Sequence, residues 1–201
     1  MSRRATVNTA FASYIQMASI VLAGMLSMSL ALGFLDTERM GLWSLTLQSL
    51  GYFFLLDFGV SSSVGRLMGE PLHSGDAKEC GRWLSLLLVV TATQGLLIFL
   101  IGYFSVDWVL DFFKDKIPDV LRPEARSLWL WMLTLNALMF PLRVASGILF
   151  AQNRNYWPSL CSAAAMWAGL LAFFYFLKQG AGTMAYAYSA VVTALITTVP
   201  T

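Results

Sequence analysis

Few residues in this chain have the types and spacing for chemistry, and the most suggestive are Asp57, Phe58 and Gly59 in the stretch LLDFGVSSSVGR. An aspartate in a DFG tripeptide holds a metal ion in one class of phosphoryl-transfer enzymes, where a glycine-rich loop, a strand lysine and an H-R-D loop precede it. Here the single histidine, His73, follows the tripeptide, so that reading fails. Two distant cysteines, Cys80 and Cys161, and one histidine cannot supply a tetrahedral metal set. Clustered histidines and paired carboxylates at a membrane face are also lacking. No catalytic residue, metal or cofactor is expected, and the chain does not read as an enzyme.

The surroundings of Asp57 explain what its carboxylate is for. Hydrophobic residues make up 58% of the 201 residues and charged residues 12%, with a mean hydropathy of +0.67. A soluble domain carries about 25% charged residues. The solvent of this chain is therefore a lipid bilayer, and no nucleic-acid partner is expected.

A spanning helix needs about 20 mostly apolar residues to cross a hydrocarbon core of about 30 Å. Six stretches qualify: Phe11–Leu35, Met40–Gly65, Trp83–Val106, Ser127–Gln152, Tyr156–Leu177 and Gly180–Thr201. They are continuous apolar runs without two-residue alternation, so the fold class is all-α, a polytopic helix bundle, and not a β-barrel. The first is far longer than a signal-peptide core and is closed by no cleavage site.

Between the third and fourth stretches lies DWVLDFFKDKIPDVLRPEAR, residues 107–126. Val109, Phe113, Ile117 and Leu121 recur at helical spacing, which predicts a short interfacial helix, broken or kinked at Pro118. A solvated loop with a few apolar anchors is the other reading. The basic residues of the connecting segments divide evenly between the two sides of the membrane. Arg3 and Arg4 precede the first helix and only Arg39 follows it, which places the N-terminus in the cytoplasm.

Charges at membrane depth cost several kcal/mol and face a partner or a watery cavity. Asp57 in the second stretch and Arg143 in the fourth are of this kind, and they either pair with each other or line a cavity. Arg66 ends the second stretch, as an anchor at the interface or as a ligand contact. Gln16, Gln48, Gln94 and Asn136 bridge helices or touch a hydrophilic substrate. Gly59, with the serines after it, and Pro141 are candidate hinge or kink points.

LGFLDTERMGLWSL, then YFFLLDFGVSSSVGRLMGE and SGDAKE, then FPLRVASGILFAQNRN together resemble the polysaccharide flippases, the O-antigen and lipid-linked oligosaccharide translocases. That family belongs to the superfamily of the multidrug and toxic-compound extruders. Gly41, Trp43, Asp57, Phe58, Gly59 and Arg66 fit the family's second helix, and Pro141 its proline-bearing fourth. The resemblance covers essentially the whole chain but only one six-helix lobe of a two-lobed architecture. It implies a C-terminally truncated transporter of the inner (cytoplasmic) membrane, or a short form that dimerises.

The implied activity is alternating access. A lipid-linked glycan would pass from one leaflet to the other between two lobes, the second supplied by a missing C-terminal lobe or by a second copy. An anionic, hydroxyl-rich substrate suits Arg143 and Asn136; Asp57 would bias the motion or pair with a cation. A cation-coupled drug extruder is the nearest alternative, disfavoured because Phe11–Leu35 has no acidic residue. A non-transporting scaffold or accessory subunit is another.

Overall fold

The computed structural model describes residues 3–53, 60–114, 117–151 and 156–198. Among these described residues seven α-helices follow one another: α1 (Arg3–Phe34), α2 (Thr37–Phe53), α3 (Val60–Ser74), α4 (Ala77–Phe112), α5 (Arg122–Ala151), α6 (Tyr156–Lys178) and α7 (Met184–Thr198). The fold is all-α. Thr9–Phe34, Ala77–Phe112, Asp119–Leu149 and Tyr156–Lys178 are long and apolar enough to cross a membrane, and α7 is a shorter apolar helix. Their outward side chains, among them Leu26, Phe104 and Leu171, are exposed apolar groups. Such a surface suits a lipid surround.

Turn chemistry explains where the helices begin and stop. Asp76 caps α4: its Oδ1 accepts hydrogen bonds from the backbone N–H groups of Lys78 and Glu79, each at 3.0 Å. Lys178 ends α6, and Gly180 follows at φ +78°. The Ala181 N–H then donates to the Phe176 carbonyl at 3.1 Å and the Gly180 N–H to that of Leu177 at 3.0 Å. A left-handed residue closing these two bonds terminates a helix and satisfies its last carbonyls.

One expectation from the sequence needs correction. Among the described residues of 107–126 there is no separate interfacial helix. The first six, through Phe112, continue α4, and Arg122 already opens α5, after a 3-10 turn at Asp119–Leu121. The periodicity of Val109, Phe113, Ile117 and Leu121 belongs to the packed α4–α5 hairpin, where Ile117 and Leu121 are buried with Leu110 and Leu128. Pro118, which cannot donate a backbone hydrogen bond, stands just ahead of the 3-10 turn. Within the second stretch, Met40–Gly65, α2 runs to Phe53 and α3 starts at Val60, with residues 54–59 outside the described residues.

The core is built by helix pairs. Ile98, Val106 and Leu110 on α4 meet Leu128, Leu133 and Phe140 on α5. A Cβ at Gly95 would lie 2.6 Å from the Ala137 carbonyl oxygen, so the two backbones approach as only glycine allows. The buried Trp129 indole N–H donates to the Gly102 carbonyl at 3.1 Å. On the other side α1 packs on α6 and α6 on α7, around Ala31, Phe173, Leu177 and Ala185. Polar bonds join α1 to α6: Gln16 Nε2 donates to Ser162 Oγ at 3.0 Å and Trp167 Nε1 to Ser19 Oγ at 3.2 Å. Gln16 is thus helix glue.

Candidate functional site

Between the two packed groups of helices lies a cleft of about 950 Å³, walled by α1, α2, α5, α6 and α7. Its wall is mostly apolar, with four methionines, Met28, Met132, Met139 and Met166, and three aromatic side chains, Trp43, Phe173 and Tyr186. The polar side chains on it are uncharged: Ser27, Asn136, Ser189, Thr193, Thr197 and Thr198, with Tyr186. No charged side chain is among the described residues lining it.

The aromatic part of the wall has a defined geometry. Trp43 and Tyr186 stack with centroids 3.7 Å apart and planes 10° apart. The other face of this plate is supported by Phe173, whose ring lies 4.2 Å from that of Tyr186. The plate therefore ties α2, α7 and α6 together at the cleft. Asn136 lines the cleft and is held by its own helix, its Nδ2 donating to the Met132 carbonyl at 2.8 Å.

One end of the bundle carries a set of ionic contacts. The α1–α2, α4–α5 and α6–α7 connections all fall at this end, because successive packed helices run antiparallel. Glu124 is the hub. Its Oε1 accepts from the Thr183 backbone N–H at 3.0 Å and from the Thr183 hydroxyl at 2.6 Å. Its Oε2 accepts from Arg39 Nε at 3.3 Å, and Arg39 also pairs with Asp36 at 3.6 Å. The first turns of α2 and α5 and the residue preceding α7 thus meet on one carboxylate.

Beside this hub the α4–α5 hairpin has its own ties. Arg126 pairs with Asp107 at 3.2 Å, and Arg122 with Asp111. The uncharged part of α4, Trp83–Val106, spans about 36 Å at about 1.5 Å per residue. That already covers a hydrocarbon core of about 30 Å, so the paired residues Asp107 and Asp111 lie beyond it, at the membrane–water boundary. Water and lipid headgroups screen these pairs, and their role is to align helices more than to add much stability.

The structure distributes the residues expected from sequence as follows. Asn136 lines the cleft, and Pro141 sits in α5 next to the lining residue Leu142. Arg66 is exposed on α3, a helix that packs on α4 and α5, and is not among the lining residues. Asp57 and Gly59 lie outside the described residues, as does the side chain of Arg143. Among the described residues no group of three histidine, cysteine or acidic side chains could hold a metal ion. Cys80 and Cys161 are free thiols.

Sequence reasoning missed Arg39, Glu124, Thr183 and Tyr186. Glu124 and Arg39 are 85 residues apart, and Glu124 and Thr183 are 59 apart. Alternation of the helices was the available signal, since it puts all three connections at one face.

Comparison with curated proteins and with solved structures gives no match. The MatE family profile matches residues 12–176, from the third turn of α1 through most of α6. Members of that family are transporters, not enzymes. The match covers well over half of the chain, and the chain belongs to the MatE family of multi-pass membrane transporters.

Proposed function

We propose that the transported molecule is a lipid-linked oligosaccharide or polysaccharide precursor, flipped across the cytoplasmic membrane by alternating access. The observation that carries this reading is the character of the cleft wall: an apolar surface carrying hydroxyl and amide groups but no charge among its described residues. An amphiphile with an apolar tail and a hydroxyl-rich head finds partners for both parts there. Asn136, Ser189 and Thr193 would meet sugar hydroxyls. Arg143, the residue after the lining Leu142, would meet the anionic pyrophosphate.

The remaining residues take supporting roles in this proposal. Asp57 would bias the conformational change or pair with a cation, and Arg66 would anchor α3 at the interface or contact the headgroup. Gly59 and Pro141 would serve as hinge points. A second lobe, from a further segment of chain or from a second copy, would enclose the substrate. The N-terminus would lie in the cytoplasm.

A second reading draws on a different property of the same wall. Its four methionines and three aromatic rings form the adaptable kind of surface that promiscuous binding sites use. That favours a cation-coupled multidrug extruder of the same superfamily. A cationic drug, however, gains most from a carboxylate, and neither the described cleft lining nor α1 between Phe11 and Phe34 holds one. Deleting the gene separates the two readings: lipid-linked glycan should accumulate on the cytoplasmic leaflet, whereas normal surface glycan with increased drug sensitivity would favour the extruder.

A further inference from the structure

The Glu124 hub stands directly above the aromatic plate. Trp43 is four residues along α2 from Arg39, and Tyr186 is three residues beyond Thr183. At about 3.6 residues per turn, each ring of the plate thus sits about one helical turn below a group bound to Glu124. The two ring-bearing helices are drawn together by a single carboxylate on a third.

The third helix is the fixed one. α5 is held to α4 by the Asp107–Arg126 and Asp111–Arg122 pairs, by the Trp129–Gly102 hydrogen bond and by the close approach at Gly95. The start of α7 has a different attachment: both the backbone N–H and the hydroxyl of Thr183 donate to Glu124 Oε1. The preceding Gly182, at φ +57°, brings its backbone so close that a Cβ there would lie 2.8 Å from the same oxygen. The turn is shaped around the carboxylate. Hydrogen bonds to a charged acceptor are stronger than neutral ones and are lost together when it moves.

From this arrangement we infer that Glu124 is an inter-helix latch, which clamps the starts of α2 and α7 onto α5 and governs access to the cleft from the membrane face where the latch lies. With the latch made, the Trp43–Tyr186 plate is held closed beneath it. With the latch released, α2 and α7 separate at this end, the rings unstack and the cleft opens toward that face alone. The latch rests on the reading of the cleft as the transport cavity, but its state is measured without any substrate. An incorrect substrate assignment would leave the result unaffected.

The test follows cleft access from each side of the membrane. The full chain, with Cys80→Ser and Cys161→Ser, receives one reporter in the cleft wall, Ser189→Cys, and is placed in sealed vesicles of both orientations. A membrane-impermeant maleimide is added outside. Glu124→Ala is expected to raise labelling from the latch face by about tenfold or more, the factor that follows from losing charged hydrogen bonds, and to leave the opposite face unchanged. Gly182→Ala, which displaces the carboxylate, and Thr183→Val, which removes the hydroxyl donor, should act in the same direction to a smaller degree. They carry the test if Glu124→Ala does not insert. Unchanged labelling from the latch face overturns the inference, and so does an equal rise from both faces, which would mean general loosening of the bundle.

Discussion

The indole of Trp43 and the phenol ring of Tyr186 lie 3.7 Å apart and nearly parallel, joining α2 to α7 at the wall of the cleft. Tyr186 is buried and bears on Phe173 as well. Tyr186→Ala should therefore destabilise the protein by about 3–5 kcal/mol, as loss of a large buried aromatic does. Tyr186→Phe keeps the stacking and should cost under about 1.5 kcal/mol. Thermal unfolding in detergent would show whether the two variants separate in this order.

Glu124 is a point of convergence for stability as well. Replacing it by alanine leaves the Thr183 donors without their acceptor, an expected loss of about 1.5–3 kcal/mol. Arg39→Ala removes a partly exposed ion pair and should cost about 1 kcal/mol or less. A double-mutant cycle on the two residues should give a coupling energy of about 0.5–1 kcal/mol; strict additivity would mean that the pair is incidental.

Gly95 and Gly33 make a controlled comparison within the membrane. A Cβ at Gly95 meets the Ala137 carbonyl oxygen at 2.6 Å, whereas one at Gly33 meets nothing within 4 Å. Gly95→Ala should cost about 1–3 kcal/mol by overpacking α4 against α5. Gly33→Ala should be close to neutral or slightly stabilising, because alanine is the better helix former. Equal behaviour of the two in an unfolding assay would argue against the close α4–α5 contact.

Asn136 lines the cleft from within α5. Asn136→Ala should lower glycan transport about tenfold while expression and insertion stay normal, the effect of leaving substrate hydroxyls without a partner. Arg66→Ala, on an exposed face of α3 away from the lining, should change transport much less. Rates measured at matched protein levels would reveal an inversion of this order, which would move the substrate path toward α3.

How much of this could be read from the sequence differs by feature. Apolar run length can be set beside single helices in two places: Tyr156–Leu177 lies within α6, and Trp83–Val106 within α4. The superfamily was legible too, through the resemblance of LGFLDTERMGLWSL and YFFLLDFGVSSSVGRLMGE to its members, and the MatE profile match agrees with it. Composition could not show that α4 continues through Asp107–Phe112, since those charges read as solvated until Arg122 and Arg126 fold back to pair with them. The Glu124 hub was hidden for a related reason. Nothing local marks a carboxylate whose partners, Arg39 and Thr183, reach it only through antiparallel packing. Asp57 and Arg143 were singled out by the cost of burying charge, a criterion that identifies a residue but not its partner.

The central claim, that the cleft carries a lipid-linked glycan, is tested most directly in vesicles reconstituted with the purified chain. Movement of a fluorescent lipid-linked oligosaccharide between leaflets would be followed beside efflux of a cationic dye under an imposed proton or sodium gradient. Glycan-lipid flipping well above that of protein-free vesicles, with the dye retained, is the expected result. Gradient-driven efflux of the dye, with the glycan lipid remaining in its original leaflet, would contradict it.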